Sequence, residues 1–221
     1  MAPLNHPAIL RVRDYGEEPD LVYVVTDFVP GSSLRETLDR DGAFAWSEGR
    51  ALLSDLISGT RALHTHGLLA FGLTPSIIRL ATSGDRTRLV ISSAGVSEIH
   101  EVLTRARAKP GRGKKPMDGD AYYLAPELLF GEKPDGRTDI FMIGVIGYEL
   151  LTGRRPFKAT TLEQLVTTEL AATVTDPRTH APLLPAEAAL CLLRCLAPRP
   201  DRRFSDVIEL ETAWQRTPSS P

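Results

Sequence analysis

The sequence predicts an α+β fold that is mostly helical, with a small β piece ahead of a run of helices. Three observations carry this. Residues 138–151, Thr-Asp-Ile-Phe-Met-Ile-Gly-Val-Ile-Gly-Tyr-Glu-Leu-Leu, have no polar face: between Ile140 and Leu151 only Tyr148 and Glu149 bear polar groups. A helix apolar all round is buried, and this run is shorter than the ~20 apolar residues of a membrane span. It therefore reads as the central post of a soluble domain. Leu21–Phe28 is a dense β-branched run, and Leu52, Leu53, Leu56, Ile57, Thr60 and Leu63 fall at helical spacing.

In chain order, Ile9–Tyr15 alternates and Leu21–Phe28 follows it, with turn chemistry at Gly16–Asp20 between them, so the two predict a hairpin. Val29-Pro30-Gly31-Ser32-Ser33 breaks the second strand, and Ser33 is placed to cap a helix from Leu34 to about Arg40. A longer helix runs from Trp46 to His66, with Ser47 as its expected cap and Gly67 as its stop. Short strands are expected at Ile77–Leu80 and Arg88–Ser92, with the turn at Ser83-Gly84-Asp85. Glu98–Asp120 has no steady period and reads as a long mobile loop. For the central helix, Thr138 is the expected N-cap, Gly153 lies past the end and Pro156 prevents continuation. Leu162–Thr173, Ala186–Leu196 and Ser205–Trp214 are the remaining expected helices, and Thr217–Pro221 reads as the start of a linker.

Bulk properties exclude several classes. A formal net charge of −2 over 221 residues argues against a general nucleic-acid or membrane binder. Cys191 and Cys195 share one helical face without a His nearby, which favours core packing over a metal set. No signal peptide or spanning segment is visible, giving the expectation of a cytoplasmic protein with no membrane segment in this chain.

Residues 121–157 carry a family resemblance: Ala-Tyr-Tyr-Leu-Ala-Pro-Glu-Leu-Leu, then Arg-Thr-Asp-Ile-Phe-Met-Ile-Gly-Val, then Glu-Leu-Leu-Thr-Gly-Arg-Arg-Pro-Phe. This resembles the Ala-Pro-Glu motif, central helix and following loop of serine/threonine protein kinases, especially the bacterial branch. Leu4–Pro7 is similar to the loop before the fourth strand of the small lobe, Thr26–Leu34 to gatekeeper, hinge and first large-lobe helix, and Pro200–Phe204 to the Arg-containing end of the fold. The resemblance implies a protein-kinase-like fold. Residues 1–30 would be a residual small lobe reduced to a hairpin and hinge, residues 31–214 a helical large lobe, and residues 215–221 a linker or tail.

The same alignment of motifs implies lost chemistry. Kinase catalysis uses an Asp base, an Asn and an Asp that hold Mg²⁺, and a Lys on the phosphates. With Leu73 and Pro75 fixing the register, Gly72 stands at the base, Thr74 at the loop Lys and Ile77 at the Mg²⁺-binding Asn, with Ala70 and Phe71 in place of the His-Arg pair. Ser93 stands at the metal-binding Asp, Asp120 at a loop Thr, and Arg79 where an apolar residue would lie beneath adenine. The Gly-rich loop, the strand Lys and the helix Glu have no counterpart between Met1 and the hinge. By the same resemblance Asp139 braces the catalytic-loop backbone, and Glu127 and Arg203 form an ion pair. The expectation is a pseudokinase-like regulatory or binding module. The alternative is a truncated kinase transferring phosphate from ATP to protein Ser/Thr. No cofactor is expected beyond weak ATP contact with the hinge backbone at Asp27 and Val29.

Other residues give weaker signals. His64 and His66 read as helix-end histidines favourable to the dipole, and Asp14, Asp20 and Asp27 as solvated acids. A relocated catalytic carboxylate would have to be Asp85, Asp118 or Asp120. Arg105, Arg107, Lys109, Arg112, Lys114 and Lys115 form a basic run at 105–115. It reads either as a solvated loop or as a docking site for an acidic or phosphorylated protein partner.

Overall fold

The computed structural model describes residues 4–18, 21–84, 86–92, 119–159, 161, 164–167 and 174–220. Ser93, the basic run at 105–115, Asp85 and Asp118 lie outside the described residues.

The first sheet is an antiparallel hairpin of β1 (Val12–Glu18) and β2 (Leu21–Thr26). Gly16, read from sequence as the start of a turn, lies inside β1 opposite Tyr23, and Glu17 and Glu18 pair with Val22 and Leu21. The reason is steric: a Cβ at Gly16 would run into the Tyr23 ring, so the glycine serves a cross-strand aromatic rather than a bend. A register irregularity between Val12 and Asp14 breaks the start of β1. The first strand therefore begins later than the expected Ile9. Residues 8–10 turn aside to the second sheet, where Leu10 N–H donates to the Ile91 carbonyl and Ile91 N–H to the Ala8 carbonyl, each at 2.9 Å.

After the hinge, Ser33 caps α1 (Leu34–Asp41) in a complete capping box: the Glu36 N–H donates to Ser33 Oγ at 3.1 Å, and the Ser33 N–H donates to Glu36 Oε2 at 2.6 Å. Helix α2 (Trp46–Thr65) starts after Ala45, which makes no side-chain cap bond. The expected cap Ser47 instead sits inside the first turn. A 3₁₀ turn at Pro75–Ile77 leads into β3 (Ile78–Ser83), which pairs antiparallel with β4 (Arg86–Ile91).

From Gly119 the chain forms a 3₁₀ turn at Gly119–Tyr123 and a short helix α3 (Pro126–Leu129). The central helix is α4 (Gly136–Thr152), and every residue from Thr138 to Thr152 is buried. Its N-cap is Asp135, not Thr138: the Arg137 N–H donates to Asp135 Oδ1 at 2.8 Å. Thr138 is the far arm of the same box, its hydroxyl accepting the Asp135 N–H at 3.2 Å. Gly153 closes the helix in the left-handed conformation (φ 68°), where a side chain would be strained. Two glycines let neighbours close in on α4. A Cβ at Gly144 would lie 2.7 Å from Cys195 Cβ, and one at Gly147 would lie 2.8 Å from side-chain carbons of Leu53 and Leu192. Helix α2 thus packs on one flank, and α5 (Ala186–Cys195) on the other.

The last helix, α6 (Val207–Gln215), is capped by Asp206 and packs on α2. Of the helix expected over 162–173, only residues 164–167 are described as helical. The expected linker begins later than Thr217. Thr217 is 3% exposed, Arg50 Nε donates to its hydroxyl at 3.1 Å, and Trp46 Nε1 donates to the Pro218 carbonyl at 3.2 Å.

Candidate functional site

The loop between α2 and β3 is held by a carboxylate from α4. Asp139 is fully buried and accepts the Ala70 N–H at 2.8 Å through Oδ2 and the Phe71 N–H at 3.0 Å through Oδ1. His64 Nε2 lies 2.8 Å from the same Oδ2. Sequence spacing gave His64 no such partner, because the two residues are 75 apart in the chain. The contact also needs Gly136 at the start of α4, where a Cβ would come within 3.0 Å of the imidazole. His66, by contrast, turns back to its own helix, Nδ1 lying 2.8 Å from the Ala62 carbonyl oxygen.

Beyond the braced amides the loop carries no charge. Phe71 has φ 38° and Gly72 φ 99°, so two consecutive residues lie in the left-handed half of backbone space. At Gly72 no side chain projects at all. Thr74 is 7% exposed and its hydroxyl has no hydrogen-bond partner among the described residues. Ile77 is buried, and its carbonyl accepts both the Ser92 N–H at 2.9 Å and the Ser92 hydroxyl at 2.6 Å. Ser76 Oγ donates to Asp120 Oδ1 at 3.0 Å, tying this loop to the 3₁₀ turn at Gly119–Tyr123. Arg79, placed by the resemblance where an apolar residue would lie, donates to the Gly31 carbonyl. At the hinge, Asp27 is not simply solvated: Arg13 donates to it at 2.5 Å and holds its carboxyl below the ordinary value. Its own N–H donates to the Arg11 carbonyl at 3.0 Å.

A second buried charge cluster holds helix α3. Arg203 donates to Glu127 through both terminal nitrogens, at 2.8 and 2.9 Å. Its remaining donors go to the carbonyls of Ala197 and Arg137 at 2.8 Å and of Pro198 at 2.9 Å, so all five guanidinium N–H groups are used. Thr138 Oγ1 donates to Glu127 Oε1 at 2.8 Å, and the guanidinium lies 4.7 Å from the Phe141 ring centroid. Burial pushes the Glu127 carboxyl up, yet the Arg203 hydrogen bonds and charge outweigh it and hold it below its ordinary value.

A third cluster gives no signal in the sequence beyond the two polar residues of α4. Glu149 accepts from Arg35 at 2.8 Å and from the Tyr123 hydroxyl, and Arg155 lies 3.7 Å away. Burial, reinforced by Glu149, raises the Tyr123 hydroxyl well above its ordinary range. The Arg155 guanidinium stacks 4.0 Å from the Tyr122 ring centroid. Among the described residues no helix is long and apolar enough to cross a membrane.

These features agree with what the chain resembles. A family model, "Protein kinase domain", matches residues 1–215. Serine/threonine-protein kinase PknB of Mycolicibacterium smegmatis is 30% identical over 217 residues, 95% of this chain and 33% of that protein. Serine/threonine-protein kinase PrkC of Bacillus subtilis is 24% identical over 94% of this chain and 31% of its own length. This chain therefore spans about a third of these bacterial relatives. A crystal structure of Rad53 residues 1–466 in complex with AMP-PNP superposes with a TM-score of 0.75 at 21% identity, covering 95% of this chain and 51% of that one. That likeness shows the fold, a mixed, helix-rich protein-kinase-like architecture with two small two-stranded sheets among the described residues. With the family model spanning nearly the whole chain, this protein belongs to the protein kinase domain family.

Proposed function

We propose that this chain is a catalytically inactive kinase-like module that works by binding and regulation rather than by phosphoryl transfer. The observation that carries the reading is Gly72: the loop is braced by Asp139, but at the base position there is no side chain to accept a substrate proton. Buried Ile77 and the buried Thr74 hydroxyl add neither a carboxylate nor an amide oxygen for Mg²⁺, which takes oxygen ligands and prefers carboxylates and phosphates. These loop residues do not fit a Mg²⁺–nucleotide, and no catalytic step is derived through one. Arg79, bonded to Gly31, puts a cation on the strand that would floor an adenine site. The partner would be a protein, acidic or phosphorylated, recruited by the basic residues 105–115, with no nucleic acid involved. The location would be cytoplasmic.

One contact favours the second reading, an active but truncated serine/threonine kinase. Asp120 accepts from the Ser76 hydroxyl and so sets a carboxylate against the loop that carries Gly72. The two readings part in a radiolabel phosphotransfer assay with Mg²⁺ or Mn²⁺. The inactive reading expects no incorporation above a mock-purified control. Incorporation abolished by Asp120→Ala would establish the second reading and overturn the first. Millimolar ATP with Mg²⁺ should leave the melting temperature unchanged, and a rise of several degrees would count against a nucleotide-free module.

A further inference from the structure

The two faces of the β3–β4 sheet are unlike. In an antiparallel pair, residues directly opposite each other share a face. The register sets Ile78 opposite Ile91 and Leu80 opposite Leu89, and these four are buried in the core beneath which α1 and α2 pack. The other face carries Arg79 opposite Val90, Arg88 opposite Ala81, and Arg86 toward the turn. Arg86 and Arg88 are exposed and Arg79 is half-buried. Arg86 and Arg88 lie two residues apart on one strand, about 6.5 Å. Arg79 is the diagonal neighbour of Arg88, about 7–8 Å away. Three like charges share one small surface.

The described residues do not offset them. Arg40, Arg61, Arg137, Arg178, Arg194 and Arg199 each reach a carboxylate within 3.1 Å. Arg79 spends one terminal nitrogen on the Gly31 carbonyl, and among the described residues no carboxylate pairs with it, with Arg86 or with Arg88. Glu36 feels the Arg79 charge, but its carboxylate is committed to the Ser33 N–H.

We propose that this face binds an extended acidic segment of a partner protein, its carboxylates engaging Arg86, Arg88 and Arg79. Charge and spacing select the occupant. Alternate residues of an extended chain lie as far apart as Arg86 and Arg88, so Asp or Glu at every second position meets one guanidinium each. The planar fork of arginine matches a carboxylate through two parallel N–H bonds. A membrane surface is met by clusters of about 4–8 basic residues, and a duplex-binding surface commonly neutralises about 6–10 phosphates. Three arginines fall short of both. The site uses none of the basic run at 105–115 and holds whether or not the chain transfers phosphate.

Fluorescence anisotropy of a labelled peptide alternating Glu and Thr, titrated with the full 221-residue chain at low ionic strength, tests this. Saturable binding is expected, and added salt should weaken it. Arg86→Glu with Arg88→Glu, at exposed positions, should weaken it roughly tenfold or more by setting carboxylate against carboxylate. Arg86→Gln with Arg88→Gln serves if the charge reversal lowers the folded yield. Replacing the basic residues of 105–115 by Ser should leave the affinity lost on changing Arg86 and Arg88 unaltered. Four results would each overturn the proposal: no binding, binding that survives both pairs of substitutions, binding abolished by the change at 105–115, or tighter binding of a rival probe. The rival probes are single-stranded DNA of matched charge and a peptide whose only acid is one phosphothreonine.

Discussion

Asp139 and Gly72 stand at the two ends of one short hydrogen-bonded path, and their fates differ. Asp139 is fully buried and satisfied by two backbone N–H groups and the His64 imidazole. Two residues along the same loop from Ala70, Gly72 has no side chain, and Ile77 beyond it is packed into the core. The brace acts on the backbone, so the loop keeps its shape whatever side chains it carries. A fold and its site are separable in this sense.

The comparison can be broken first at its strongest anchor. Arg203→Ala leaves the Glu127 carboxylate buried and unpaired, and should lower stability by about 3–5 kcal/mol in urea unfolding. Replacing both partners, as Glu127→Met with Arg203→Met, should cost much less, because no charge is then stranded. Asp139→Ala comes next. It strips the buried Ala70 N–H and the partly buried Phe71 N–H of their acceptor and should cost roughly 2–4 kcal/mol. Amide exchange at Ala70 and Phe71 should accelerate while that of α4 stays slow. If both regions lose protection equally, the carboxylate is holding the whole domain and not the loop alone.

Gly72→Ala tests the other end. At φ 99° a methyl group is strained, so a loss of about 1 kcal/mol is expected in thermal or urea unfolding. The smallest effect is that of acid. The folded Glu127 carboxyl sits below its ordinary value of 4.5, so the stability it contributes is present above that value and is lost as pH falls through the folded one. Urea midpoints should therefore decline in that window, and the Met/Met pair at 127 and 203 should flatten the decline.

Some of this was legible in the chain and some was not, for physical reasons. The run at 140–151, apolar but for Tyr148 and Glu149, announced a buried helix, because burial on every side leaves little room for polar residues. The uncharged character of the loop was also plain, since Gly72 and Ile77 are what they are in any fold. The end of the helix was harder. Asp135 and Thr138 are both good capping residues, and only the backbone geometry separates the cap from its partner. Gly16 reads as a turn in isolation, and nothing before the pairing with Tyr23 reveals that it makes room for a ring. The contacts of His64 with Asp139 and of Arg35 with Glu149 join residues 75 and 114 positions apart, which no local pattern encodes.

The positive φ of Phe71 has one further consequence. A bulky L-residue does not choose that conformation unaided, and such strain persists only where the surroundings overdetermine it. The Phe71 N–H is tied to a carboxylate 68 positions away, so the bend belongs to the assembled domain and not to its own stretch of sequence. A peptide of residues 68–78 would relax out of it, and the same segment grafted under a helix that lacks an acid at this place would not recover it.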